Sequence, residues 1–199
     1  MDAHAAAGNG FSLTELSIGV ALLITLSAAS VAPVASAIDA SRTWGAAHYL
    51  AGRMNLARAE AVKRSVFVAL RVEAEGAFYR CTFYADGNGN GVRTAEITAK
   101  VDVAIGPSDR LHEKFGGVNL GIGDGVKAVD AGLDLVAGSD PVRFGQSDLA
   151  SFNPNGSATA GTIYIRGRGR QQAAVRVLGV TGRVRVLWFN FVTHQWEMR

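Results

Sequence analysis

The segment Asp86-Gly87-Asn88-Gly89-Asn90-Gly91 sets oxygen-bearing side chains at alternate positions ahead of a glycine. The first half of an EF-hand loop wraps Ca2+ with this spacing. A bidentate glutamate should close such a site at its twelfth position, which here is Ile97, with Glu96 one residue short. A turn built from Asn and Gly uses the same residues without a metal. Asp86, Asn88 and Asn90 are therefore candidate Ca2+ ligands or turn formers.

A second set is basic. From Ile163 to Arg199 the chain carries seven Arg, no Lys and one acid, Glu197, so this end is +6 while the whole chain is +3. Arg166, Arg168 and Arg170 alternate, as do Arg183 and Arg185, and on extended backbone each group would share one face. Rows of guanidinium groups can neutralise phosphates by releasing counterions, without reading base sequence. They serve equally as a solvated strand face or as partners for subunit carboxylates.

Other patterns fail. His4, His48, His112 and His194 have no metal-binding spacing, and His112-Glu113 lacks the second His of a zinc protease helix. Gly145-Gln146-Ser147-Asp148-Leu149 breaks the nucleophile elbow at its last position, and Gly121-Ile122-Gly123-Asp124-Gly125 is not followed by Lys-Ser/Thr. Cys81 is the only cysteine, which excludes an intrachain disulfide and predicts a buried, thiol-bearing hydrophobe. The sequence predicts a protein that is not an enzyme.

The remaining reactive residue is Glu15, at the mouth of an apolar run. Leu16 to Ile38 is 23 residues without a formal charge. As a helix it spans roughly 30 Å, enough to cross a bilayer. Ser27, Ala28, Ala29, Ser30, Ala32, Ala35, Ser36 and Ala37 leave room for close helix packing in lipid, and Pro33 predicts a bend. A carboxylate beside such a run is costly to bury and marks either a function or a charge facing interfacial water. A conventional secretory signal would instead be cut near Ala35 to Ala37.

The residues Gly10-Phe11-Ser12-Leu13-Thr14-Glu15-Leu16, with the apolar run behind them, resemble the type IV prepilin signature. The resemblance implies cleavage after Gly10 by a membrane prepilin peptidase and methylation of the new amino group of Phe11. It further implies that Glu15 pairs with the amino terminus of a neighbouring subunit. The leader MDAHAAAGNG departs from the pattern, because it contains Asp2 and no Lys or Arg.

Beyond Asp39, Ala47, Leu50, Met54, Ala57 and Ala61 recur at helical spacing, with Arg53, Glu60, Lys63 and Arg64 off that stripe. Strands are expected in VFVALRVE, AFYRCTFY, EITAKVDVAI, TIYIRG, AAVRVLGV and RVRVLWFNFV. The Gly-rich stretch from Gly116 to Gly138 reads as loops with short strands. The expected organisation is a leader (1–10), a transmembrane helix segment (11–38), an amphipathic continuation (39–65) and a β-rich domain (66–199). The fold class is α+β and pilin-like, a long N-terminal helix packed on antiparallel sheet.

LARAEAVKRSVFVAL, FNPNGSATAGTIYI and VTGRVRV resemble the helix-to-strand passage and the carboxyl-terminal half of the GspH/FimT family. That resemblance implies a non-catalytic minor pseudopilin of a type II secretion system. The molecule would pass once through the bacterial inner membrane, hold its domain in the periplasm and assemble with other pilin or pseudopilin subunits. The alternative implied is a type IV minor pilin that binds DNA for uptake through Gly182-Arg183-Val184-Arg185. Neither resemblance requires a cofactor; Ca2+ is the one ion the residues themselves raise.

Overall fold

The computed structural model describes residues 12–130 and 134–198; Gly10 and Phe11 lie outside them. The chain divides after Ile38 into two units. Helix α1 (Leu13–Arg64) begins in the first and ends in the second.

In the first unit α1 exposes its large apolar side chains on every side, Leu16, Ile18, Leu22, Leu23, Leu26 and Val31 among them. It is long and apolar enough to cross a membrane by length and composition. The hydroxyls of Ser17, Thr25 and Ser30 donate to the carbonyls of Leu13, Leu22 and Ser27. Polar side chains bonded back to their own helix present little unsatisfied polarity to an apolar solvent. The helix continues through Pro33.

From Asp39 onward the helix has one buried stripe: Thr43, Ala46, Ala47, Leu50, Ala51, Met54, Ala57 and Ala61. The many alanines allow close approach to sheet, and Leu50 and Met54 fill the space between. On the exposed side Glu60 pairs with Arg64 at 2.6 Å, which holds the Glu60 carboxyl below the usual carboxylate range.

The stripe packs on two antiparallel sheets. In the first, β1 (Val68–Glu75) lies between β2 (Phe78–Ala85) and β7 (Leu149–Phe152), and short strands β3 (Val103–Ala104) and β4 (Asp109–Arg110) both pair with β2. In the second, β8 (Gly161–Arg166), β9 (Gln172–Leu178), β10 (Arg183–Asn190) and β11 (Gln195–Met198) follow in order. The short strands β5 (Asn119–Leu120) and β6 (Val142–Arg143) pair with β8. The helix stripe, Leu70, Val72 and Phe83 of the first sheet, and Ile163, Ile165, Val175 and Val177 of the second form one core. The fold is thus the expected α+β, pilin-like arrangement.

The outer faces explain what alternation alone does not. Val68, Ala69 and Leu70 are consecutive and all buried. Ala69 points away from the main core into a cluster with Val92 and Leu149, flanked by Ile97. Ile97 belongs to α2 (Thr94–Thr98), so the expected strand EITAKVDVAI is corrected: Glu96, Ile97 and Thr98 are helix, Ala99 and Lys100 a turn, and only Val103–Ala104 is strand. Strand propensity at Ile97 and Thr98 is overridden because a helical turn delivers Ile97 to that cluster. A further turn, α3 (Leu111–Lys114), buries Leu111.

The Gly-rich stretch covers the outer face of the second sheet. Ile122 and Val126 pack with Tyr164, Ala174, Leu187 and Phe189. Buried Gln172 pins it: its Oε1 accepts the Gly123 N–H at 2.9 Å while its Nε2 donates to the Gly121 and Ile165 carbonyls at 3.0 Å. Both polar ends of the amide are satisfied, as a buried amide requires.

Candidate functional site

The start of α1 carries the first candidate. Ser12 Oγ accepts the Glu15 N–H at 3.2 Å, and Glu15 Oε2 accepts the Ser12 N–H at 3.1 Å. This is a reciprocal capping box, which satisfies donors that a helix start leaves open. Glu15 therefore has a structural task besides any task in assembly, and Ser12 joins it. The sequence carried the signal, Ser followed three residues later by Glu. Ser12 and Glu15 are exposed, so the carboxylate is accessible.

The loop after β2 holds the second candidate. Asp86 is buried, and its Oδ1 accepts the Asn88 and Gly89 N–H groups at 2.9 and 2.8 Å. Its Oδ2 accepts the Gly91 N–H at 2.7 Å. Burial pushes the Asp86 carboxyl up, but the N–H donors of Asn88, Gly91, Gly89 and Asn90 outweigh it and hold the group below its ordinary value. Asn88 Oδ1 accepts the Asn90 N–H at 3.3 Å, and Asn90 Nδ2 donates to Glu96 Oε1 at 2.8 Å. Asp102, also buried, accepts the N–H groups of Gly87 and Arg93 at 3.2 and 2.9 Å. Asp86, Asn88 and Asn90 thus lie together, with their oxygens turned largely to backbone donors. Among the described residues no group of three or more His, Cys, Asp or Glu is arranged to hold a metal ion.

The arginines divide. β8 ends at Arg166 and the Gly167 N–H donates to the Gln171 carbonyl at 3.0 Å, so Arg168 and Arg170 sit on a hairpin turn. The expected ridge of Arg166, Arg168 and Arg170 is therefore broken, because the turn ends the alternation of extended backbone. Arg183 and Arg185 do share a face of β10, the face that carries Leu187 and Phe189. Across the sheet Arg185 stands opposite Arg176, Arg176 opposite Thr162, and Thr162 opposite Arg143. Arg176 is paired with Asp130, whereas Arg185 Nε and Thr162 Oγ1 are buried without a hydrogen-bond partner. Asp86, Asn88 and Asn90 and the arginine pair lie on different sheets' margins and do not form one site.

Two further groupings had no signal in the sequence. Buried Asp109 gathers Tyr49 Oη at 2.9 Å, Arg53 Nε at 3.0 Å and Lys114 Nζ at 3.4 Å. It faces Cys81 across β2 and β4, and burial, followed by the Asp109 charge, pushes the Cys81 thiol up to about 12. Cys81 is thus a buried apolar group with no thiolate at neutral pH. The other is Asp39, whose Oδ1 and Oδ2 accept the Arg168 and Gly169 N–H groups, each at 2.9 Å. Both depend on contacts between residues far apart in the chain.

The three segments that carry the GspH/FimT resemblance meet in space. Arg58 Nε on α1 donates to the Gly156 carbonyl at 3.1 Å, and the Ala158 N–H donates to the Gly179 carbonyl at 2.8 Å. Gly182 has φ of 58°, and a Cβ there would overlap the Gly156 carbonyl oxygen. A glycine is required on both counts.

No curated protein matches the chain. Two solved structures of the minor pseudopilin EpsH from the type 2 secretion system of Vibrio cholerae are similar to it, at 17% and 16% identity and a TM-score of 0.43 in each case. The alignments cover 73% and 74% of this chain and 94% of each EpsH chain. The profile described as type II transport protein GspH matches residues 46–182, which include the helix stripe from Ala46 onward, the whole first sheet, β5, β6, β8 and β9 of the second, and the Gly156–Gly182 junction. The chain belongs to the GspH family of type II transport proteins.

Proposed function

We propose that the protein is a minor pseudopilin, a non-catalytic filament subunit that supports protein export. The observation that carries this reading is an apolar helix whose large side chains are exposed among the described residues, headed by one carboxylate and leading into a GspH-family domain. The apolar part of α1 anchors the subunit in the inner membrane, and the domain lies in the periplasm. A prepilin peptidase removes residues 1–10 and methylates Phe11. The Glu15 carboxylate then pairs with the amino terminus of an adjacent pilin or pseudopilin, because a lone charge among packed apolar helices is costly until an opposite charge meets it.

The capping box shapes the test. Glu15→Gln retains a side chain that can close the box but removes the charge, whereas Glu15→Ala removes both. Both variants should insert in the membrane and be cut after Gly10, and both should be missing from sheared filaments. Filaments that incorporate Glu15→Gln at the wild-type level would remove charge pairing from the reading. A mature chain beginning near Ala37 rather than at methylated Phe11 in mass spectrometry would overturn the anchor itself.

A second reading has its own support: Arg183 is exposed and Arg185 carries an unpartnered Nε on the same sheet face. Such a pair suits contact with DNA phosphates by a minor pilin.

A further inference from the structure

We propose that Arg42, Arg168 and Arg170, together with the Trp44 ring, form a collar that docks on anionic phospholipid headgroups; this rests on the reading of Leu16–Ile38 as membrane-spanning. Covalent connectivity places the collar. Asp39 directly follows Ile38, the last residue of the apolar run. The turn bearing Arg168 and Arg170 is distant in sequence yet tied to Asp39 by the Arg168 and Gly169 N–H groups, at 2.9 Å each. Gly167 makes that approach possible, since a Cβ there would lie 2.8 Å from Asp39 Oδ2. Two arginines from the carboxyl-terminal third are thereby held at the first residue beyond the span.

Arg42 joins them. Its Nη1 donates to the Gly116 carbonyl at 3.2 Å, and the Arg168 stem lies against Gly117, where any Cβ would overlap it. Both cations therefore flank one turn. Among the described residues Arg42, Arg168 and Arg170 have no acidic side chain within ion-pair distance, a state they share with Arg58, Arg93, Arg143, Arg166, Arg183 and Arg185, whereas Arg53, Arg64, Arg71, Arg80, Arg110 and Arg176 each have one; what sets the three apart is their place beside Asp39. Arg170 is stacked over the Phe191 ring at 5.0 Å, which leaves its charge unneutralised. Asp39 is the one carboxylate among them and its oxygens accept backbone N–H groups, so three exposed cations against one acid leave the collar net positive and suited to an anionic surface.

Trp44 supplies the amphipathic element. It meets Trp188 edge-on at 5.9 Å, and the two rings, with Ala40 and Ser41, line an open pocket of about 400 Å3. Along a helix, Trp44 lies about 9 Å beyond Ile38. The headgroup layer on each side of a bilayer is about 5–8 Å deep, so the ring reaches its outer limit, where Trp is favoured.

The test uses the full-length chain in lipid nanodiscs of phosphatidylcholine, with or without phosphatidylglycerol. Trp188→Phe with Trp196→Phe leaves Trp44 as the sole tryptophan, and acyl-brominated lipids report its contact with the bilayer. Quenching should rise with phosphatidylglycerol and fall as salt screens the charges. Arg168→Gln and Arg170→Gln should each lower the docked-to-undocked ratio about fivefold, while Arg→Lys at both positions preserves it. The lipid and salt series need no arginine variant, so a misfolded variant cannot rescue the idea. Quenching indifferent to phosphatidylglycerol and salt overturns the collar. Shielding of Trp44 that follows subunit density instead of lipid charge overturns it in favour of an acidic face on a neighbouring copy. A chain that fails to enter nanodiscs at all overturns the membrane-spanning reading beneath it.

Discussion

Replacing Asp86 tests whether its loop is held by a carboxylate that serves backbone donors. The carboxylate accepts three N–H groups at 2.7 to 2.9 Å from a buried position. Hydrogen bonds to an ionised acceptor contribute about 1.5–3 kcal/mol each, but Asn88 and Gly89 are exposed and water can reach their N–H groups once the side chain is gone. Asp86→Ala should therefore cost about 2–4 kcal/mol rather than the full sum, a fall in Tm of roughly 5–15 °C for a domain of this size. Asp86→Asn keeps one acceptor oxygen and should cost about 1–2 kcal/mol. The pH dependence has a definite sign. The folded Asp86 pKa is depressed below 3.8, so the stabilisation is complete above that value and is lost as pH falls through the folded one. The stability gap between wild type and Asp86→Asn should thus narrow in acid. Thermal and guanidinium melts of the full-length chain in micelles, followed by tryptophan fluorescence at several pH values, measure both quantities. An Asp86→Ala cost below about 0.5 kcal/mol, or a gap that does not change with pH, would refute the reasoning. In the same melts millimolar Ca2+ should leave the wild-type midpoint unchanged, because the ion would have to displace N–H donors; an upward shift abolished by Asp86→Asn would establish a Ca2+ site.

Gly182→Ala combines a positive φ with overlap on the Gly156 carbonyl and should cost about 2–4 kcal/mol in the same melts; a cost below 1 kcal/mol would mean the junction is not tightly packed. Cys81, with its thiol pushed up to about 12 by burial, should resist maleimide at pH 8 until the domain unfolds, and rapid labelling of folded protein would contradict the burial. For the DNA-binding reading, Arg183→Ala and Arg185→Ala should each reduce the slope of log affinity against log salt by about 0.9 on duplex DNA. Binding that is absent in wild type, or indifferent to both changes, would leave these arginines to structural or subunit contacts.

What could be read from the chain was whatever depends on near neighbours. The uncharged run Leu16–Ile38 and the stripe Ala47, Leu50, Met54, Ala57 and Ala61 reflect helical periodicity, a local property of the backbone, and the stripe is buried as expected. The strands β1, β2, β8, β9 and β10 follow runs of β-branched and aromatic residues for the same reason. The capping box at Ser12 and Glu15 was not read from the sequence, although its signal is local, Ser followed three residues later by Glu. Tertiary structure decided the rest. Ile97 became helical because a cluster around Ala69 needed it, and the Gly-rich stretch acquired a task because Gln172 and the outer face of the second sheet were there to receive it. Arg168 and Arg170 left their expected ridge because Gly167 lets the turn close onto Asp39, 129 residues away from Arg168. Burial and charge pairing depend on which distant segments the sheet registers bring together, and no local pattern of residues contains that register.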